Sequence, residues 1–177
     1  MEYSNLINLE EFFEKCPEEY CLMKIPEDFP NYQRHSDLDI LCRDKSKLVA
    51  YTLSALASRA DLTLRISHPR GGKHSHVDAY CLSNTLDLKF DFIDSFDTYE
   101  KSIVNPTLKD EILSTKVKDN SVFVPRTPHE MVIRMLEYRE YRDIRPDKIK
   151  HLRYVETRHM YKSEFENLWN TFIGDEG

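Results

Sequence analysis

Asp37 and Asp39 stand two positions apart in the segment RHSDLDILCRD, residues 34–44, among neighbours that favour burial: Leu38, Ile40, Leu41 and Cys42. Side chains two apart on a strand share a face, so both carboxylates project from one side while Leu38, Ile40 and Cys42 project from the other. The same sorting of LDLKFDFI, residues 86–93, sets Asp87, Lys89 and Asp91 against Leu86, Leu88, Phe90 and Phe92. In HVDAYCL, residues 76–82, it sets His76, Asp78 and Tyr80 against Val77, Ala79 and Cys81. Aspartate is a poor strand former, and a merely solvated face is better served by threonine or lysine. Carboxylates crowded on one face repel unless a cation compensates. An all-carboxylate set suits a hard ion that keeps some water and bridges to phosphates, Mg²⁺ or else Mn²⁺. The pattern predicts a divalent-metal site; the plainer alternative is a sheet with one solvated acidic side. His76 is either a further ligand or, as is commoner for a strand histidine beside an acid, an orienting group.

The elements that must carry these groups follow from periodicity and punctuation. LINLEEFFEK, residues 6–15, has the spacing of a short amphipathic helix stopped by Pro17, and YCLMKI, residues 20–25, reads as a strand ending at Pro26. PEDFPNYQRHS is a loop by its two prolines. The DLDILCR strand is followed by a helix over KSKLVAYTLSALASRA, residues 45–60, and then by strands at 62–68, 76–82 and 86–93, the last two forming a hairpin. TPHEMVIRMLEYREYRD, from residue 127, opens with a threonine cap and a proline at the first helical position, and breaks near Arg145-Pro146. The stretch beyond supplies another long helix or a pair of helices. The fold class is α+β (α/β), with a mixed, partly antiparallel sheet, helices packed on one face and a C-terminal helical lobe.

The 177 residues and 21.0 kDa fit one compact unit, an α/β core over residues 1–125 with a helical lobe over 126–177 packed on it. No apolar run approaches the roughly 18 residues of a membrane span, and the acidic N-terminus lacks a signal-peptide pattern, so a cytoplasmic protein is expected. The four cysteines show no CxxC and predict reduced core residues. A formal net charge of −6 argues against a protein that coats nucleic acid. Residues 126–162 nevertheless hold ten Lys or Arg against six Asp or Glu, and Arg139, Arg142, Arg145, Lys148 and Lys150 are candidates to meet a phosphorylated substrate, with a solvated face as the alternative.

The order of helix, strand, loop, S-D-L-D-I-L strand, helix, further strands and an F-D-F element resembles the nucleotidyltransferase-fold, or polymerase-beta-like, superfamily over roughly residues 6–94. It also resembles the small branch of that superfamily associated with surface-polysaccharide biosynthesis, in the run LDLKFDFID and the helical segment HEMVIRMLEYREYRDIRPDKIKH. The resemblance implies Asp37, Asp39 and Asp91 as catalytic and metal-binding carboxylates, with Asp87 the competitor for the third place and His76 and Asp78 as accessory groups. Members usually carry a Gly-Ser pair at the end of the preceding strand, where this chain has no glycine before Gly71. Lys24, Arg34 and Ser36 stand there instead as nucleotide- or phosphate-binding groups, and Lys89 on the polar face either joins them or forms an ion pair with Asp87 and Asp91.

What the resemblance implies is an enzyme: an Mg²⁺-dependent nucleotidyltransferase that moves a nucleoside monophosphate from a nucleoside triphosphate to a small-molecule acceptor such as a sugar or glycan precursor. Two other readings stay open. D-L-D also fits the DxD of a sugar-nucleotide glycosyltransferase, although only about 20 residues precede the loop where a nucleotide-binding sheet would have to lie. A nucleotidyltransferase-like binding or regulatory protein without turnover is the third, and the absent Gly-Ser pair favours it.

Overall fold

The computed structural model of the chain describes residues 3–26 and 28–174. In chain order its elements are β1 (Tyr3–Ser4), α1 (Leu9–Glu14), β2 (Tyr20–Leu22), β3 (Tyr32–Gln33), β4 (Ser36–Cys42), α2 (Lys45–Leu56), β5 (Leu62–Ser67), β6 (His74–Cys81), β7 (Leu86–Ile93), β8 (Ile103–Val104), α3 (Leu108–Thr115), β9 (Val117–Asp119), β10 (Val122–Val124), α4 (Thr127–Tyr141), α5 (Ile149–Glu156), α6 (Lys162–Phe172) and β11 (Ile173–Gly174). Helices and a mixed sheet make an α+β fold. Among the described residues no helix is long and apolar enough to cross a membrane.

The chain divides into two units. The first holds the chain up to Asp94 together with Val117–Val124, and the second holds Ser95–Lys116 together with the chain from Pro125 onward. The expected boundary after residue 125 thus misses a crossing. The β9–β10 hairpin belongs with the sheet because Val122 is fully buried in that core and the Phe123 ring meets Tyr20 at 5.7 Å. Residues 95–116, including α3 with its buried Leu108, Ile112 and Leu113, belong with the C-terminal helices.

In the first unit five strands lie in the order β2-β4-β7-β6-β5, with β4 and β7 parallel and every other neighbouring pair antiparallel. Helix α2 carries the chain from β4 to the far edge at β5, and the antiparallel β5-β6-β7 run returns it to the flank of β4. Asp44 starts α2 by accepting from the backbone N–H of Ser46 and Lys47, and Asn8 starts α1 by accepting from Glu11 N–H. Leu9, Phe12 and Phe13 of α1 and Leu48, Val49 and Leu56 of α2 share one core with Leu38, Ile40, Cys42, Val77, Ala79, Leu88, Phe90 and Phe92 of the sheet. These are the even positions of β4 and β7 and the odd ones of β6, so the expected apolar face is the one the helices cover, and burial of each such side chain is worth about 1.5–3 kcal/mol. The cysteines are free, and Cys21, Cys42 and Cys81 are buried.

In the second unit α4 buries Met131, Val132, Ile133 and Leu136, and β8 pairs with β11. Arg126 occupies the cap position of α4 without a side-chain cap bond, and Thr127, expected as the cap, is the first helical residue beside Pro128. The chain beyond Pro146 forms the separate helices α5 and α6. Most of the basic residues there are engaged within the unit: Lys148 with Glu137 at 3.3 Å, Arg145 with Asp147 at 2.9 Å, Arg142 with Asp143 at 3.7 Å, and Arg139 over the Trp169 ring at 5.6 Å.

Candidate functional site

The face of the five-stranded sheet opposite α1 and α2 carries the ionisable groups in rows across the strands. In the register of the parallel pair Asp39 lies beside Asp91, and on the other side of β7 Asp91 lies beside His76 of β6. Neighbouring strands are about 4.8 Å apart, so the three side chains leave the sheet as adjacent posts in one line. One pleat away the next row reads Asp37, Lys89, Asp78 and Arg65, alternating in sign across β4, β7, β6 and β5. Such lateral pairs of opposite charge stabilise a sheet by a fraction of a kcal/mol up to about 1 kcal/mol each. The Arg65 guanidinium also stacks 4.5 Å over the Tyr80 ring.

The central row has close partners. Lys24 Nζ lies 2.6 Å from Asp39 Oδ2, and the pair is three-quarters or more shielded from solvent. Asp91 meets two imidazoles: His74 Nδ1 lies 2.8 and 3.0 Å from its two carboxylate oxygens, and His76 Nε2 lies 3.3 Å from Oδ1. His74, His76 and Asp91 form the one group of three or more ligand-capable side chains whose donor atoms lie within 4.8 Å of one another among the described residues.

His74 reaches this position because of the turn before it. Arg70, Gly71 and Gly72 take successive left-handed conformations, φ 53°, 64° and 85°, which glycine adopts without the penalty that a Cβ brings. The turn is compact enough that β6 begins at His74 rather than at His76, and the Lys45 ammonium at the start of α2 holds the Lys73 carbonyl at 3.3 Å and Asp94 at 3.0 Å. The strand expected from the sequence begins at His76 and leaves His74 outside it. The signal that finds it is the His-Ser-His spacing, which puts both rings on one face once the strand extends back by two residues.

Asp87 is used differently. β7 carries an irregularity opposite Ala79 and Tyr80, where Ala79 pairs with Leu88 but Tyr80 with Leu86. Asp87 falls at this bulge and departs from simple alternation. Its side chain is fully buried, it accepts a 2.6 Å hydrogen bond from the Tyr32 hydroxyl, and Arg34 Nε lies 3.7 Å away. Tyr32 in turn accepts from the Ile7 backbone N–H at 3.0 Å, and burial together with the Asp87 carboxylate holds its hydroxyl well above the ordinary phenol range. Asp87 is therefore committed to a buried anchor with Tyr32, with the half-buried Arg34 as its nearby cation, while Asp91 faces the imidazoles. Ser36 shares the parity of Leu38 and Ile40 and begins β4 opposite the face that bears Asp37 and Asp39.

Of the expected metal-binding carboxylates, Asp39 and Asp91 are brought together, and Asp37 stands exposed on the same face one pleat away, beside Lys89. Asp39 and Asp91 are neighbours in the register, Lys24 already rests on Asp39, and the three carboxylates do not form a group with donor atoms within 4.8 Å of one another. No family model and no curated protein matches the sequence, and no solved structure matches the fold.

Proposed function

We propose that the chain is a metal-dependent nucleotidyltransferase that transfers a nucleoside monophosphate from a nucleoside triphosphate to a small-molecule hydroxyl, with a sugar or glycan precursor as the acceptor class. The observation that carries this reading is the register that seats Asp39 beside Asp91 on neighbouring parallel strands. Asp37, Asp39 and Asp91 would hold Mg²⁺ or Mn²⁺, which when bound supplies charge neutralisation on the phosphates and a more acidic acceptor hydroxyl. Lys24 neutralises Asp39 in its absence and, once displaced from that carboxylate, remains within a side chain's length to meet a phosphate oxygen. In the transfer the acceptor oxygen bonds to the α-phosphorus as the bond to the pyrophosphate oxygen breaks. The hydroxyl proton leaves to the Asp91 carboxylate, which His74 holds in place. Positioning and electrostatics supply most of the rate.

The same Lys24–Asp39 pair favours a second reading, a nucleotidyltransferase-like binding or regulatory protein in which the ammonium stands permanently where a metal would be. One titration separates the readings: thermal unfolding of the wild type, Asp39→Asn and Asp91→Asn with each of four nucleoside triphosphates and with UDP- and GDP-sugars, with and without Mg²⁺, alongside pyrophosphate release. A ligand at a hundredfold its Kd stabilises by about 2.7 kcal/mol, or about 5–10 °C for a chain of this size. The transferase reading expects a metal-dependent shift with a triphosphate, lost in both variants, and pyrophosphate release. A shift without pyrophosphate release in the presence of candidate sugar acceptors favours the binding protein, a response to nucleotide-sugars alone favours the glycosyltransferase, and no response from the wild type sinks all three.

A further inference from the structure

We propose that His74, His76 and Asp91 form a binding site for a first-row transition-metal ion, a centre of two imidazoles and one carboxylate built on β6 and β7. All three side chains project from one sheet face, with His74 and His76 two residues apart on β6 and Asp91 directly across from His76. Donor atoms about 2.0–2.1 Å from a common ion lie about 2.9 Å apart in octahedral and about 3.4 Å apart in tetrahedral geometry. The separations from Asp91 Oδ1 are 2.8 Å to His74 Nδ1 and 3.3 Å to His76 Nε2, and the three donor atoms all lie within 4.8 Å of one another, a cluster that an ion can draw together. The strands fix the backbone of each ligand, and the Lys45 contacts to Lys73 and Asp94 brace the start of β6 and the end of β7. The three side chains are each 13–19% exposed, which leaves a path for an ion and water.

The donor set decides the class of ion. Neutral imidazole suits Zn²⁺, Fe²⁺, Ni²⁺ or Cu²⁺, with Co²⁺ as a spectroscopic stand-in for Zn²⁺, whereas Mg²⁺, Ca²⁺ and Mn²⁺ call for oxygen. Three protein ligands leave further positions for water or a substrate oxygen, the pattern of reactive rather than purely structural sites. This centre deepens the nucleotidyl-transfer reading in that it shares Asp91 with it and would set a transition-metal ion beside the reacting phosphate. To that extent it rests on that reading, but binding of the ion is measured without nucleotide.

The test uses the full, tag-free chain titrated with Co²⁺ and Zn²⁺ by visible absorption and calorimetry, in the presence of millimolar Mg²⁺. The expected result is one equivalent bound with ligand-field bands in the visible, uncompeted by Mg²⁺, and an affinity at least about tenfold lower in His74→Ala and in His76→Ala, since removing even a group that only hydrogen-bonds a metal ligand costs that much. Histidine side-chain NMR on the wild type needs no variant: of the seven histidines, only the His74 and His76 rings should shift on Zn²⁺ addition. Absence of binding, or binding that leaves those two rings unmoved, overturns the proposal. Co²⁺ binding without any nucleotide response would sink the transferase reading and leave the metal centre standing; a Mg²⁺-nucleotide response without Co²⁺ binding would do the reverse.

Discussion

Replacing Tyr32 with phenylalanine removes one oxygen and tests the division of labour between Asp87 and Asp91. The Tyr32 ring stays, and with it the packing of a residue only 2% exposed. Two hydrogen bonds disappear together because one hydroxyl serves both: its donation to Asp87 at 2.6 Å and its acceptance from Ile7 N–H at 3.0 Å. A hydrogen bond to a charged group contributes about 1.5–3 kcal/mol, and a buried amide left without a partner costs about 1–3 kcal/mol, so Tyr32→Phe should cost about 3–5 kcal/mol. With a urea m-value of about 2 kcal/mol/M, the midpoint should fall by about 2 M at unchanged m. Asp87→Asn in the Tyr32→Phe background should cost less than in the wild type, with a coupling of about 1–3 kcal/mol in the double-mutant cycle. Metal affinity at His74, His76 and Asp91 should survive in Tyr32→Phe under conditions where the variant is folded. Asp91→Asn should show the opposite signature, little change in the urea midpoint and loss of metal binding. A Tyr32→Phe cost below about 1 kcal/mol would refute the buried anchor. Abolished metal binding in a folded Tyr32→Phe protein would instead tie Asp87 to the site.

Lys24→Ala removes the cation that competes for Asp39 and should raise the affinity of bare Mg²⁺ about three- to tenfold while weakening triphosphate binding, both read by calorimetry. Burial, the largest influence on His129, holds its imidazole below the ordinary value of 6.5, against the opposing pull of Glu111 at 3.5 Å. The unfolded chain therefore binds the proton more readily, so the stability this residue confers is complete above pH 6.5 and is lost as the pH falls through and below that value. Urea midpoints at pH 7.5 and 5.5 should differ less in His129→Gln than in the wild type. Gly72→Ala places a Cβ on a backbone at φ 85° and should cost about 1–2 kcal/mol although no atom lies within 4 Å of the added methyl, a pure backbone effect measurable by the same denaturation.

Strand parity was legible in the sequence because burial enforces it. Leu38, Ile40, Leu88, Phe90, Phe92, Val77 and Ala79 could be assigned to one face from their alternation alone, and they are the residues on which α1 and α2 pack. The chain's exchange between units was not legible. Residues 95–116 contain α3 and β8 but alternate weakly, and what assigns them to the second unit is packing between segments distant in sequence, such as β8 with β11 near the C-terminus. The β9–β10 hairpin is only three residues on each side, too short for periodicity to speak, and its place is fixed by the contact of Phe123 with Tyr20.

The candidate site shows where alternation fails as a guide to chemistry. It paired Asp37 with Asp39 and Asp91 with Asp87 as if each strand were regular from end to end. A single extra residue at the β7 bulge is enough to send Asp87 into the core toward Tyr32, and a tight turn of left-handed residues is enough to bring His74 onto the strand. The two departures fall at opposite ends of β7, the bulge opposite Ala79 and Tyr80 and His74 across from Ile93. One takes a carboxylate off the polar face, and the other adds an imidazole beside Asp91, where His76 already stood as a candidate ligand. The aspartates alone point to a hard ion, whereas the proposed centre of His74, His76 and Asp91 would take a softer one. Both backbone irregularities leave little trace in hydrophobic periodicity, which is why the shared face of Asp37, Asp39 and Asp91 could be read from their spacing while the burial of Asp87 and the arrival of His74 could not.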